Sequence, residues 1–169
     1  KESEEEFDNA MNKTMDTIAF AQESSAIPFA VFKPTGFGRF YLYEKLTAGD
    51  KLTLAELEEW ERVVARFDLV CSTACKANIP LLIDAEESWM QDAADDLIEE
   101  MMAKYNTEKA IVYNTLQMYR WDRLDYLKDL EERSKEIGFH IGMKVVRGAY
   151  MEKERERAEK IGYPSRFKS

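Results

Sequence analysis

Four polar side chains stand where short apolar runs end. Lys33 closes Ala26-Ile27-Pro28-Phe29-Ala30-Val31-Phe32, and Asp84 closes Ile79-Pro80-Leu81-Leu82-Ile83. Gln117 ends a run that begins Ala110-Ile111-Val112-Tyr113, and Lys144 lies within Ile141 to Val146. In an extended chain residues two apart share a face, so each of these polar groups lies on the same side as an apolar or hydroxyl neighbour: Val31, Leu82, Tyr113 with Thr115, and Val146. If the runs are neighbouring parallel strands, two cations, a carboxylate and an amide gather where α/β folds take their ligands. Four such ends in succession read as a candidate ligand or catalytic site, since barrel enzymes draw their catalytic residues from several strands. A lysine with an aspartate on barrel strands could instead form a Schiff base with a carbonyl substrate. A third reading makes the same positions the solvent-facing strand ends of a non-catalytic α/β domain that binds a partner.

Other chemistries have less material. His140 is the only histidine, which excludes a Ser/His/Asp triad and a His-rich metal site, and it falls at the start of its strand, away from the four. Cys71 and Cys75, four apart, share a helix face and read as buried structural thiols rather than a metal pair. No metal ligand set is expected. No GxGxxG loop is present, and Gly36-Phe37-Gly38 is too short to replace one.

The elements that must position these residues follow from periodicity and caps. Phe7, Met11, Met15, Ile18 and Phe20 predict an amphipathic helix over residues 1–23, with Glu2 to Glu6 suited to its N-terminus. Residues 37–52 read as irregular. Thr53-Leu54-Ala55-Glu56 is a capping box, and Leu57, Trp60, Val64, Phe67 and Cys71 continue one stripe to a C-cap at Asn78. Ser88 is expected to cap a helix bearing Ala94, Leu97, Ile98, Met101 and Tyr105. Trp121, Leu124, Leu127, Leu130 and Ile137 mark the next, stopped by Gly138, and a charged helix from about Met151 stops at Gly162. Four strand–helix units after a leading helix imply a parallel sheet. The four polar positions are separated by 51, 33 and 27 residues. A (β/α)8 barrel averages about 31 per unit, so four units make half of one. A small open doubly wound sheet fits the length better; a truncated barrel fits the site better.

The 169 residues carry 24 basic and 33 acidic side chains, a net charge of −9, which disfavours nucleic acid as a partner. The longest stretch without Asp, Glu, Lys or Arg is ten residues, Ala110 to Tyr119, far short of the ~20 a spanning helix needs. Two cysteines make no disulfide framework, and nothing after Lys1 reads as a secretory signal, so a cytoplasmic setting is expected and the true start is expected upstream.

Several of these segments resemble the proline dehydrogenase family: Asp84-Ala85-Glu86-Glu87-Ser88, Asn114-Thr115-Leu116-Gln117-Met118-Tyr119, Lys144-Val145-Val146-Arg147-Gly148-Ala149-Tyr150 and, more loosely, Phe32-Lys33-Pro34-Thr35-Gly36. The tail from Glu152-Lys153-Glu154-Arg155 to Ile161-Gly162-Tyr163 continues the match, and Val146-Arg147-Gly148-Ala149-Tyr150 is its most specific piece. The resemblance implies the first half of a distorted (β/α)8 TIM-type barrel, one partial domain with residues 1–25 as leading helix, 26–163 as barrel units and 164–169 unmatched. It implies FAD held at strand ends, oxidation of L-proline to Δ1-pyrroline-5-carboxylate by hydride transfer to flavin N5, and a quinone as electron acceptor, with transient contact at the inner membrane. By the same resemblance Asp84 and Lys144 are catalytic, and Lys33 and Tyr150 bind substrate. Ala85, Gln117, Lys144, Arg147, Gly148 and Ala149 meet the cofactor. The family's later strands bring further carboxylate-binding arginines, so this stretch alone is expected to hold FAD weakly.

Overall fold

A computed structural model describes residues 3–148 and 150–165. Helix α1 (Glu4–Glu23) is capped by Ser3 in a reciprocal box with Glu6 and leads into β1 (Ala30–Phe32), a 3-10 turn (Pro34–Gly36) and α2 (Phe40–Ala48). Then come α3 (Leu54–Ala77), β2 (Leu81–Ile83), α4 (Ser88–Tyr105), β3 (Val112–Gln117), α5 (Arg123–Ile137), β4 (Met143–Val146) and α6 (Met151–Ile161). The Thr53 capping box and the left-handed Asn78 C-cap (φ 57°) form as the sequence predicts.

Three local expectations need correction. Residues 37–52 contain α2, which begins at Arg39 without a side-chain cap and buries Leu42 and Tyr43. Its stop is Gly49 at φ 79°, a left-handed position that disfavours any residue with a Cβ. Ser88 is the first residue of α4 rather than its cap; Glu87 holds the cap position, and the Ser88 hydroxyl donates to Glu154 on α6. The first apolar run is extended only at its end, Ala30–Phe32.

All strands are parallel and lie in the order β1-β2-β3-β4. A doubly wound sheet reverses its strand order at a switch point; this one advances one strand at a time, as a barrel does, and is a partial barrel. Val31, Leu82 and Tyr113 are in register on one face, with Thr115 opposite Lys144 and Gln117 opposite Val146 on the same face. The alternate residues Phe32, Leu81, Ile83, Val112 and Leu116 face the helices and are buried. There Phe32 stacks on Phe37 at 4.1 Å between ring centres, and Phe67 meets both edge-on. The opposite face is open: Val31 on β1 is 42% exposed.

Candidate active site

Counting two residues on from the Val31–Leu82–Tyr113 row places Lys33, Asp84 and Thr115 side by side, with Lys144 next to Thr115. Their side chains line one cleft of about 180 Å³ together with Ala85, Gln117, Val146 and Tyr150. Asp84 and Lys144 form an ion pair across β3, each about a third exposed. Lys33 is exposed at the other side of Asp84's strand, so one carboxylate sits in a row with two ammonium groups. Thr115 between them turns its hydroxyl to Ile83 O at 2.8 Å. Tyr150 has φ 62°, a left-handed backbone rare for an aromatic residue, at the start of α6 beside the cleft.

The loops at this end are tied to each other. The Glu86 carboxylate accepts from Thr35 N (3.0 Å) and Thr35 Oγ1 (2.8 Å), joining the turn after Lys33 to the turn after Asp84. Burial pushes the Glu86 carboxyl up from its ordinary value, against the bonds from Thr35 and the charge of Lys33, which pull it down. Tyr43 OH donates to Pro34 O at 2.7 Å, fixing the same turn from α2. Gln117, 1% exposed, donates from Nε2 to Glu86 O at 2.9 Å.

Six of the nine residues expected at the site therefore share the cleft: Lys33, Asp84, Ala85, Gln117, Lys144 and Tyr150. Arg147 and Gly148 are exposed on the loop after β4 and do not line it; Gly148 lines a neighbouring cleft of about 520 Å³ with Tyr150, Met151, Glu152 and Lys153. Ala149 lies outside the described residues. Glu86, Asn114 and Asp95 were not anticipated. Asn114 Nδ2 donates to Asp95 Oδ1 at 2.8 Å, and Asp95 also accepts from Gln91 and Arg123. Their one signal is spacing: Gln91 and Asp95 are four apart, beside the apolar stripe of α4.

Cys71 is buried, and burial pushes its thiol up; Cys75 donates to Tyr105 O at 3.6 Å. Among the described residues no group of three or more His, Cys, Asp or Glu could hold a metal ion. His140 is exposed before β4 and pairs with Asn106 through its main chain.

The family model for proline dehydrogenase matches residues 1–168. The chain belongs to the proline dehydrogenase family. Among curated relatives, the carbapenem antibiotics biosynthesis protein CarD of Pectobacterium carotovorum subsp. carotovorum is 35% identical over 152 residues, 90% of this chain and 40% of CarD. Mitochondrial proline dehydrogenase 1 of Drosophila melanogaster is 38% identical over 109 residues (64% of this chain, 16% of the relative), and the human protein of that name is 36% identical over 113 (67% and 19%). The chain thus spans less than half the length of each. The proline utilization A of Bdellovibrio bacteriovorus, inactivated by N-propargylglycine, superposes on 98% of this chain with a TM-score of 0.79 at 17% identity, covering 18% of that protein. The protein from Corynebacterium freiburgense gives 0.76 at 19% identity, over 98% of this chain and 16% of its own. At these identities the likeness speaks to the fold alone.

Proposed function

We propose that the chain forms the strand-end half of a site that oxidises L-proline to Δ1-pyrroline-5-carboxylate with FAD and passes the electrons to a quinone. The observation that carries this reading is the single cleft into which Lys33, Asp84, Gln117 and Lys144 converge. The donor set suits the reactive edge of a flavin: an amide N–H from Gln117 and the Lys144 ammonium are what an electron-rich, anionic ring needs as neighbours. FAD, when bound, supplies the hydride acceptor. Lys33 holds the proline carboxylate as a point charge from the exposed side of the row. Asp84 faces the substrate nitrogen and favours the cationic character that grows there as hydride leaves, while the ion pair between Lys144 and Asp84 keeps both side chains aimed into the cleft. Tyr150, fixed by its backbone at the mouth, packs on the substrate ring. Arg147, Gly148 and Ala149 belong to the pyrophosphate end of the cofactor, where an exposed guanidinium can reach phosphate.

No helix among the described residues is long and apolar enough to cross a membrane. The proposal includes a cytoplasmic protein that meets the quinone by transient contact with the inner membrane. Neither a Schiff-base reaction nor a purely partner-binding role has an observation in its favour once the family is known. The test is the visible spectrum of the purified full-length protein. Flavin bands that bleach on adding L-proline, and return on adding a quinone, support the reading; a colourless protein, or one indifferent to proline, overturns it.

A further inference from the structure

Gln117 is held from behind by a closed circuit of hydrogen bonds that runs through buried side chains, the part-exposed Asp122 and the main chain of Glu86. Its Nε2 donates to Glu86 O at 2.9 Å, and its Oε1 lies 3.5 Å from Arg120 Nη1. Arg120 is 1% exposed, and its Nε and Nη2 donate to the two oxygens of Asp122 at 3.0 and 2.6 Å. Asp122 Oδ2 also accepts from Arg123 Nη2 at 2.8 Å, and Arg123 Nη1 donates to Asp95 Oδ2 at 2.7 Å. Asp95 Oδ1 accepts from Gln91 Nε2 at 2.9 Å, and Gln91 Oε1 accepts from Glu86 N at 2.8 Å, which returns the circuit to the residue where it began.

The two neighbours of the Gln117 amide dictate the same orientation. A guanidinium only donates, so the amide oxygen must face Arg120; a main-chain carbonyl only accepts, so the amide nitrogen must face Glu86. One N–H of Gln117 is then left, and Gln117 lines the cleft. We propose that Arg120 is a positioning residue that locks the Gln117 carboxamide with its N–H turned to the cofactor edge. Without Arg120 the amide can rotate and present its oxygen, which repels an electron-rich ring. The inference rests on the reading that the cleft takes a flavin, and extends it to a residue that never touches the cofactor. Asp122 keeps Arg123 as a partner when Arg120 is removed, so the wall behind Gln117 is not dismantled with it.

The experiment uses the full-length protein, stripped of cofactor and titrated with FAD by quenching of tryptophan fluorescence, with spectra of the reloaded forms. Arg120→Met should weaken FAD about tenfold, one oriented hydrogen bond, and shift the flavin bands. Arg120→Lys, which keeps a donor toward Gln117, should recover part of both. In a Gln117→Ala background, Arg120→Met should add nothing to either readout. If Gln117→Ala shifts affinity and spectrum while Arg120→Met and Arg120→Lys leave them alone, the positioning role is overturned and the cleft reading stands. If Gln117→Ala also changes nothing, the cleft reading falls and the inference with it. If Arg120→Met does not fold, the lysine variant in both backgrounds decides by the same comparison.

Discussion

Asn106 links the N-terminal ends of β3 and β4, and replacing it by Ala tests whether those ends set the cleft's geometry. Its side chain is fully buried and uses its entire bonding capacity. Oδ1 accepts from Ile111 N at 3.0 Å and Val112 N at 2.9 Å, while Nδ2 donates to Val112 O and His140 O, each at 2.9 Å. Asn106→Ala strands two buried amides, each costing about 1–3 kcal/mol; the two carbonyls add less, because each keeps a second lone pair. Neighbouring losses are not additive, so the expected total is roughly 3–5 kcal/mol. That is a large part of the ~5–15 kcal/mol a domain has in all. With a urea slope of about 2 kcal/mol/M, the midpoint should fall by about 2 M with the slope unchanged. Asn106→Asp should be no better at neutral pH, since a carboxylate oxygen then faces two carbonyls, and should improve on acidification, when a protonated carboxyl can donate to one of them. A cost below about 1 kcal/mol for Asn106→Ala, or an Asp variant whose stability ignores pH, would refute this account.

Three further outcomes follow from the same geometry. Lys144→Met in the full-length protein should lower kcat/KM for proline by about 10²–10³, as loss of one preorganised charge does, with Lys144→Arg recovering part; a Met variant of full activity removes Lys144 from the site. Gly142→Ala should unfold or slacken the β3–β4 pairing, because its Cβ would lie 2.4 Å from Val112 O, a main-chain atom that cannot step aside; a wild-type melting temperature would contradict that. Glu86 gives a pH signature. Its carboxyl is raised by burial, so the folded state holds the proton more tightly than the unfolded chain, whose value is about 4.3. The stability it lends is complete below that pH and is lost as pH rises through the folded-state value. The stability of Glu86→Gln relative to the wild type should therefore rise from about pH 4 upward and then level off, whatever offset the altered bonds to Thr35 add; chemical denaturation across pH 4–8 reads it, and a pH-independent difference rules it out.

The four strand-end residues were legible because a strand has a period of two and a parallel sheet puts its ligands at one end; both are local or topological regularities that letters carry. Periodicity and length left a doubly wound sheet and a barrel both open, since the choice depends on which strands are neighbours and segments of three residues say nothing of that; it was the family resemblance of the strand-end motifs that implied the barrel. Helix α2 escaped because four consecutive aromatic and aliphatic residues, Phe40 to Tyr43, show no period and Arg39 offers no cap. Glu86 and Glu87 are adjacent identical letters with different fates: one is 5% exposed and bonds Thr35, the other sits at the head of α4 and pairs with Lys153. Arg120, Asp122 and Arg123 show no period or motif that sets them apart, and only tertiary packing buries the two guanidiniums and makes the three part of an interior circuit.

That interior circuit answers a problem posed by the strands themselves. β1 and β2 have three residues each, too few for an apolar alternation to specify register, and a slip by one would turn Lys33 or Asp84 from the cleft into the core. β3 is the longest strand, and it carries polar residues on both faces: Asn114 toward the helices, Thr115 and Gln117 toward the cleft. On the helix side Asn114 reaches Asp95; on the cleft side Thr115 bonds Ile83 O on the neighbouring strand. A slip by one in β3 would break both. Asn106 pins one end of the strand and the Gln117–Glu86 bond pins the other. The register of the reactive row is thus set by directional bonds at β3 and passed outward to Asp84 and Lys33 on one side and Lys144 on the other. Mutations in these bonds should disturb substrate affinity and turnover together, whereas losses in the apolar core of α1 and α3 should lower stability and leave the properties of the surviving folded protein unchanged.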